Sequence, residues 1–213
     1  MDDKIEEIKK YAENNLKSDP SGHGWHHTER VWQLSKSIAE EEGDVDRFVL
    51  ETSALLHDLI DWKLEDKKSS DEVKKYLDSL EIREGKTNKI IKIIKTISFK
   101  GAKNESKMDS IEGKIVQDAD RLDALGAIGI ARCFAYGGKT GQKIYDPDIL
   151  PKTHDNFDEY KESETTSLNH FYEKLLLLKD RMNTNNGRKI AEERHEYMIE
   201  FLDKFFKEIE VKK

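Results

Sequence analysis

Apolar residues recur along this chain at helical spacing, and the breaks between the runs are equally regular. Ile5, Ile8, Ala12 and Leu16 fall on one face of a first helix, which stops before the turn cluster Asp19-Pro20-Ser21-Gly22. A second segment runs from about His27 to Glu42, with Val31, Leu34 and Ile38 on one side and Gly43 as its stop. Asp44 or Asp46 caps a third helix through Phe48, Val49, Ala54, Leu55 and Leu56. That helix is apolar on most faces, which places it at the centre of the fold. Ser69-Ser70-Asp71 opens a fourth helix carrying Val73, Tyr76, Leu77 and Leu80. Next come Ile90, Ile91, Ile93, Ile94 and Ile97, whose β-branching suits a strand. Lys89, Lys92 and Lys95 fit the exposed face of a helix, and this decides the reading.

Residues 100–110 are a polar loop. A helix from Ile111 to Leu125 leads into Gly126–Tyr136, rich in the small residues expected where helices approach closely. Residues 137–165 hold two of the three prolines and few apolar anchors, and read as a long surface loop. Two amphipathic helices, Leu168 to Leu178 and Ile190 to Ile209, finish the chain. Neither an internal repeat nor a linker interrupts this order. The expected fold is all-α, one domain over residues 1–213.

Composition narrows the classes. The chain has 213 residues, 37 basic against 44 acidic, for a net charge of −7. This balance argues against a nucleic-acid binder, which needs a basic face. The one cysteine, Cys133, excludes an intramolecular disulfide and a multi-cysteine zinc site. No apolar stretch is long enough to cross a membrane, and the charged N-terminal segment is no signal peptide. The expectation is a soluble, cytoplasmic protein that does not engage membranes. The Leu175–Leu178 run is core or interface, which leaves a homodimer open.

The chemistry concentrates in three places. His23, His26 and His27 cluster before the second helix; His57-Asp58 ends the apolar third helix in ALLHDLID; Asp118, Asp120 and Asp123 sit in IVQDADRLDALG. Carboxylates on apolar helices are informative, because an unpaired buried charge is costly and a shared cation removes the cost. His-Asp by itself says little: roughly 0.7 such pairs arise by chance in a chain of this composition. A second pair, His154-Asp155, lies in the polar loop and reads as a decoy. Asp118 and Asp123 touch the pocket, pair with Arg121 and Lys114, or cap nearby backbone. Arg194 reads as a plain surface arginine, Cys133 as a small buried packing residue, and His170 is even between interior and surface. Gly138-Lys139-Thr140 lacks the glycine a phosphate loop needs at position 133.

Taken together, HTERV at 27–31, LLHDLID at 55–61 and QDADRLDALGAIGIAR at 117–132 resemble the HD superfamily of metal-dependent phosphohydrolases, in the family's own order. HFYEKLLLLKDRMNT at 170–184 and ERHEYMIEFLDKF at 193–205 resemble a small bacterial subfamily similar to nucleotide pyrophosphohydrolases. One departure is Gly24 in HGWHHTERV, where related sequences often carry Asp.

The resemblance implies an HD-type helical bundle with a metal held by His27, His57, Asp58 and Asp120. Mixed imidazole and carboxylate donors suit Mn²⁺, taken here first, or Fe²⁺, Co²⁺, Ni²⁺ or Zn²⁺ better than Ca²⁺. Such an ion activates water and polarises a phosphoryl oxygen. Arg30, one turn after His27, and Arg121, beside Asp120, are the candidates to stabilise charge on the equatorial oxygens. Asp61, three residues after Asp58, can orient the attacking water or act as general acid or base. The implied substrate is a nucleoside or deoxynucleoside triphosphate, cut to monophosphate and pyrophosphate. The rivals are a nucleotidase or cyclic-nucleotide phosphodiesterase of the same superfamily, and a metal-containing ligand-binding protein without turnover.

Overall fold

The computed structural model describes residues 2–16, 24–60, 68–97, 107–152 and 165–209. Among them the chain is all-helical, with nine α-helices, two 3-10 turns and no strand. They cluster into two compact units, one formed before Arg121 and the other from Arg121 onward.

The first unit contains α1 (Asp2–Leu16), α2 (Trp25–Ile38), α3 (Arg47–Leu56), a 3-10 turn (His57–Ile60), α4 (Ser70–Ser79), α5 (Glu84–Thr96) and most of α6 (Ile111–Asp123). The expected central helix is α3, packed against α1, α2 and α5. Leu50, Leu55 and Leu56 are fully buried there, each contributing about 2 kcal/mol by removing apolar surface from water. Asp46, not Asp44, caps α3: its carboxylate accepts from the Val49 amide at 3.3 Å. The Asp46 amide in turn donates to Glu112 of α6 at 3.0 Å. The lysines of α5 serve as ties, Lys86 to Asp46 at 2.7 Å and Lys89 to Glu112 at 2.8 Å. α4 begins with a reciprocal cap in which Ser69 and Glu72 each accept from the other's backbone amide.

The second unit contains α7 (Gly126–Thr140), α8 (Ser167–Glu173), a 3-10 turn (Leu175–Arg181) and α9 (Asn185–Ile209). Phe134, Phe171 and Phe201 form its aromatic core, with ring centroids 5.9–6.1 Å apart. The buried Glu173 carboxylate accepts from the Lys152 amide at 3.0 Å and the Thr165 hydroxyl at 2.9 Å.

Several boundaries differ from the sequence expectation. α2 ends at Ile38 rather than near Glu42. α7 continues through Gly137 and Gly138 to Thr140, so the irregular segment starts at Gly141 and not at residue 137. The helix expected over 168–178 is broken at Lys174 into α8 and a 3-10 turn. α9 starts at Asn185, five residues before the expected Ile190. No helix among the described residues is long and apolar enough to cross a membrane.

Candidate metal centre

Three segments of the first unit bring the site together. His27 lies in the first turn of α2, where its amide donates to the Gly24 carbonyl at 3.0 Å. Gly24, at the capping position, offers no side chain to the helix start. His57 and Asp58 open the 3-10 turn that follows α3. The change from α-helix to the tighter 3-10 winding begins at His57, so the two residues are not presented as they would be on a continuing α-helix. Asp120 projects from α6.

The four side chains converge. The Nε2 atoms of His27 and His57 lie 3.2 Å apart, with the rings inclined at 67°. Asp58 Oδ2 lies 3.4 Å from His27 Nε2, and Asp58 Oδ1 lies 3.4 Å from His57 Nε2. Asp120 Oδ1 lies 3.4 Å from His27 Nε2 and 3.9 Å from His57 Nε2. His27 and His57 are each 2% exposed and Asp58 5%. The side chain of Asp120 is one-third exposed and forms the open side.

Two observations test whether these residues fit a metal. His57 Nδ1 lies 2.8 Å from the Ala54 carbonyl, so Nδ1 carries the proton and the Nε2 lone pair faces the cluster. Asp58 Oδ2 is buried with no hydrogen-bond partner. A lone pair and an orphaned carboxylate oxygen pointing at one spot are unfavourable unless a cation sits between them. Donors sharing one ion at about 2.1 Å and a right angle lie roughly 3 Å apart, close to the separations seen here. His27, His57 and Asp58 form a buried group able to hold a metal.

The remaining candidates are placed as follows. Arg30 is half-buried on α2. Arg121 donates to the Arg181 carbonyl. His26 is exposed, 3.7 Å from Glu29. Asp118 is buried, and Asp123 is buried against Arg132 at 2.8 Å, a pairing absent from the sequence reading. Arg194 is half-buried, not a plain surface residue, because its guanidinium donates to the Leu122 carbonyl at 2.6 Å. Burial pushes the Cys133 thiol up to about 12, which suits an inert packing residue. Asp61, His23 and the His154-Asp155 pair lie outside the described residues.

The family model of the HD domain matches residues 24–125, the span that contains all four converging side chains. An HD-superfamily hydrolase of known structure from Bacillus thuringiensis is 43% identical, covering 99% of each chain with a TM-score of 0.76. This chain belongs to the HD superfamily. The chain is similar to YpgQ from Bacillus subtilis (strain 168), 41% identical over 207 residues, 96% of this chain and 93% of that one. The crystal structure of YpgQ in complex with ADP aligns with a TM-score of 0.78 over 97% of this chain and 98% of that one. A solved protein from Lactobacillus plantarum, 38% identical, matches with a TM-score of 0.89 over 100% of this chain and 99% of its own.

Proposed function

We propose that this HD protein is a divalent-metal-dependent phosphohydrolase that cuts nucleoside or deoxynucleoside triphosphates to monophosphate and pyrophosphate. The observation that carries the reading is the buried convergence of two imidazoles and the Asp58 carboxylate, with Oδ2 left without a partner. His27, His57, Asp58 and Asp120 hold the ion. Nitrogen and carboxylate donors together favour Mn²⁺, with Fe²⁺, Co²⁺, Ni²⁺ and Zn²⁺ as alternatives. When bound, the ion supplies Lewis acidity toward a phosphoryl oxygen and lowers the pKa of water.

The chain's own groups do the rest. The His57 Nδ1–H bond to Ala54 fixes the ring orientation and directs Nε2 toward the cluster. Asp120, the exposed member of the set, stands on the side from which substrate enters. Arg30, on the same helix as His27, offsets negative charge on the phosphoryl oxygens. Asp61 takes or delivers the proton. Arg121 follows Asp120 directly and stays a secondary candidate, since its guanidinium also holds the Arg181 carbonyl. The nucleotide reading draws its support from YpgQ, which binds ADP.

The test is metal-loaded protein incubated with nucleoside mono-, di- and triphosphates, the products being separated by ion exchange. Pyrophosphate and a monophosphate from a triphosphate support the proposal. Orthophosphate from a monophosphate makes the protein a nucleotidase instead. Bound metal with no turnover of any nucleotide makes it a metal-containing binding protein.

A further inference from the structure

Two helices of the first unit start at one polar tie and lead to the same cluster. α3 starts after Asp46 and runs into His57 and Asp58, and α6 starts at Ile111 and carries Asp120. At their starts, the Asp46 amide donates to Glu112 Oε1 at 3.0 Å. The other carboxylate oxygen, Oε2, ion-pairs with Lys89 of α5 at 2.8 Å. Lys86, one turn earlier on α5, lies 2.7 Å from the Asp46 carboxylate, which also caps α3 by accepting from the Val49 amide. One carboxylate thus joins the starts of α3 and α6 to α5. At the other end, Asp120 Oδ1 lies 3.4 Å from His27 Nε2 and 3.9 Å from His57 Nε2.

The Glu112 side chain is 2% exposed. An apolar residue of similar volume would fill that space without desolvating a charge, and exchanges of that kind are often neutral or stabilising. Net stability is therefore a poor reason for a carboxylate here. What the charge adds is direction, because a hydrogen bond has a preferred length and angle whereas apolar burial is non-directional. Ile115, Val116 and Ala119 of α6 are fully buried and hold the helix sideways. They select its position along its own axis less sharply than the Glu112 tie does. The start of α6 is also closely packed: a Cβ at Gly113 would lie 3.1 Å from Met108 Sδ and 3.4 Å from Ile93 Cγ1 of α5.

A shift at Glu112 is carried to Asp120 through about 12 Å of continuous helix. A ligand must be held within about 0.5 Å of the productive geometry to bind well. We propose that Glu112, through Lys89 and the Asp46 amide, is a positioning residue for the metal centre. It sets the axial register of α6 against α3, so that Asp120 arrives opposite His57 and Asp58. This rests on the metal-site reading given above.

The test is Mn²⁺ titration of the full chain, with electron paramagnetic resonance detection of free ion, at a temperature where circular dichroism shows each variant folded. Glu112→Gln keeps the size of the side chain and an acceptor for the Asp46 amide but removes the charge. It is expected to raise the Mn²⁺ dissociation constant about fivefold, within the range of coupling carried through a packed element. In an Asp120→Asn background the same change should raise it by less than about twofold, because the ligand it positions is already impaired. Leu77→Val, in the fully buried core of α4, should lower the urea midpoint and leave the constant within about twofold of wild type. An unchanged constant in Glu112→Gln, the same factor in both backgrounds, or an equal rise in Leu77→Val overturns the proposal. Should Glu112→Gln fail to fold, Lys89→Met, which removes the partner charge from a partly exposed position, is held to the same criteria. A wild-type protein that binds no Mn²⁺ sinks the metal-site reading, and the first titration shows that separately.

Discussion

His27 and His57 face each other through their Nε2 atoms at 3.2 Å, in a space where both rings are 2% exposed. The Ala54 carbonyl accepts a hydrogen bond from His57 Nδ1–H, which turns Nε2 of that ring inward. The buried Asp58 Oδ2 adds a second acceptor without a hydrogen-bond partner. Such an arrangement is costly in the metal-free protein and stabilising once a cation is shared, so occupancy and stability are linked.

Added Mn²⁺ should therefore raise the urea midpoint of the wild-type protein. At a free concentration 100-fold above the dissociation constant the gain is about 2.7 kcal/mol. Asp58→Ala should show no such rise and no bound metal by elemental analysis. Its metal-free stability should stay within about 1 kcal/mol of metal-free wild type, because the substitution removes a buried, poorly satisfied charge. A retained metal complement in Asp58→Ala means the ligand set is wrong.

Glu112 gives a pH dependence in a region remote in sequence from the His-Asp pair. Burial pushes its carboxyl up, but the Lys89 ammonium and the Asp46 amide outweigh this and hold it below the ordinary 4.5. A depressed folded value means the contribution is fully present above the unfolded value and is lost as the pH falls through the folded one. Glu112→Gln should cost about 2 kcal/mol at pH 7, the scale of hydrogen bonds to a charged group. The gap between the two urea midpoints should close as the pH falls below 4.5. A gap of constant size over that range would show that Glu112 acts through shape and not through charge.

The cost of burying charge is local information, so His57-Asp58 and the acidic cluster at 118–123 stood out in the sequence, while the set His27, His57, Asp58 and Asp120 came from the family resemblance. A histidine and a carboxylate at the end of an apolar helix are conspicuous whatever they touch, and the structure does bring His27, His57, Asp58 and Asp120 together. Arg194 was not legible. On α9 it looks solvent-facing, and its partner, the Leu122 carbonyl, is 72 positions away and has no side-chain signature. The Arg132 partner of Asp123 was not legible either: Arg121 is the nearest basic neighbour in sequence, and Arg132 stands nine positions on. The glycine pair at 137–138 misled by propensity. Glycine disfavours helix in isolation, but at position 137 an added Cβ would lie 2.2 Å from Ser167 Oγ, so the helix uses glycine for close packing.

Asp61 stands three positions after Asp58 in the sequence. If it handles the proton, Asp61→Asn should leave metal content near wild type and lower kcat by about 10²–10⁴. KM should move far less, since the loss falls on the transition state. A residue that only ties the end of a helix, through Lys63 or Lys67, would give nearly full turnover and a small loss in Tm. Metal content, Tm and kcat measured on one preparation separate these outcomes, and unchanged kcat with full metal removes Asp61 from the chemistry.

Two glycines of α7 should respond in opposite directions to the same substitution. Gly138 has no atom within 4 Å of the place a Cβ would take, and it is exposed. Gly138→Ala should thus show only the backbone benefit, a gain of roughly 0.5–1 kcal/mol from a less flexible unfolded chain. Gly129 is different. A Cβ there would lie 2.2 Å from the Ala124 carbonyl oxygen and 2.4 Å from its carbon, atoms of the corner between α6 and α7. Those atoms belong to the backbone and cannot rotate away as a side-chain tip can. The Leu125 carbonyl already accepts from the Gly129 amide at 3.3 Å, so the corner cannot open without losing that bond. Gly129→Ala should cost about 1–3 kcal/mol net of any propensity gain, read as a lower urea midpoint at unchanged slope. Equal shifts of one sign in the two variants would mean that helix propensity, and not the close approach at the corner, sets glycine at position 129.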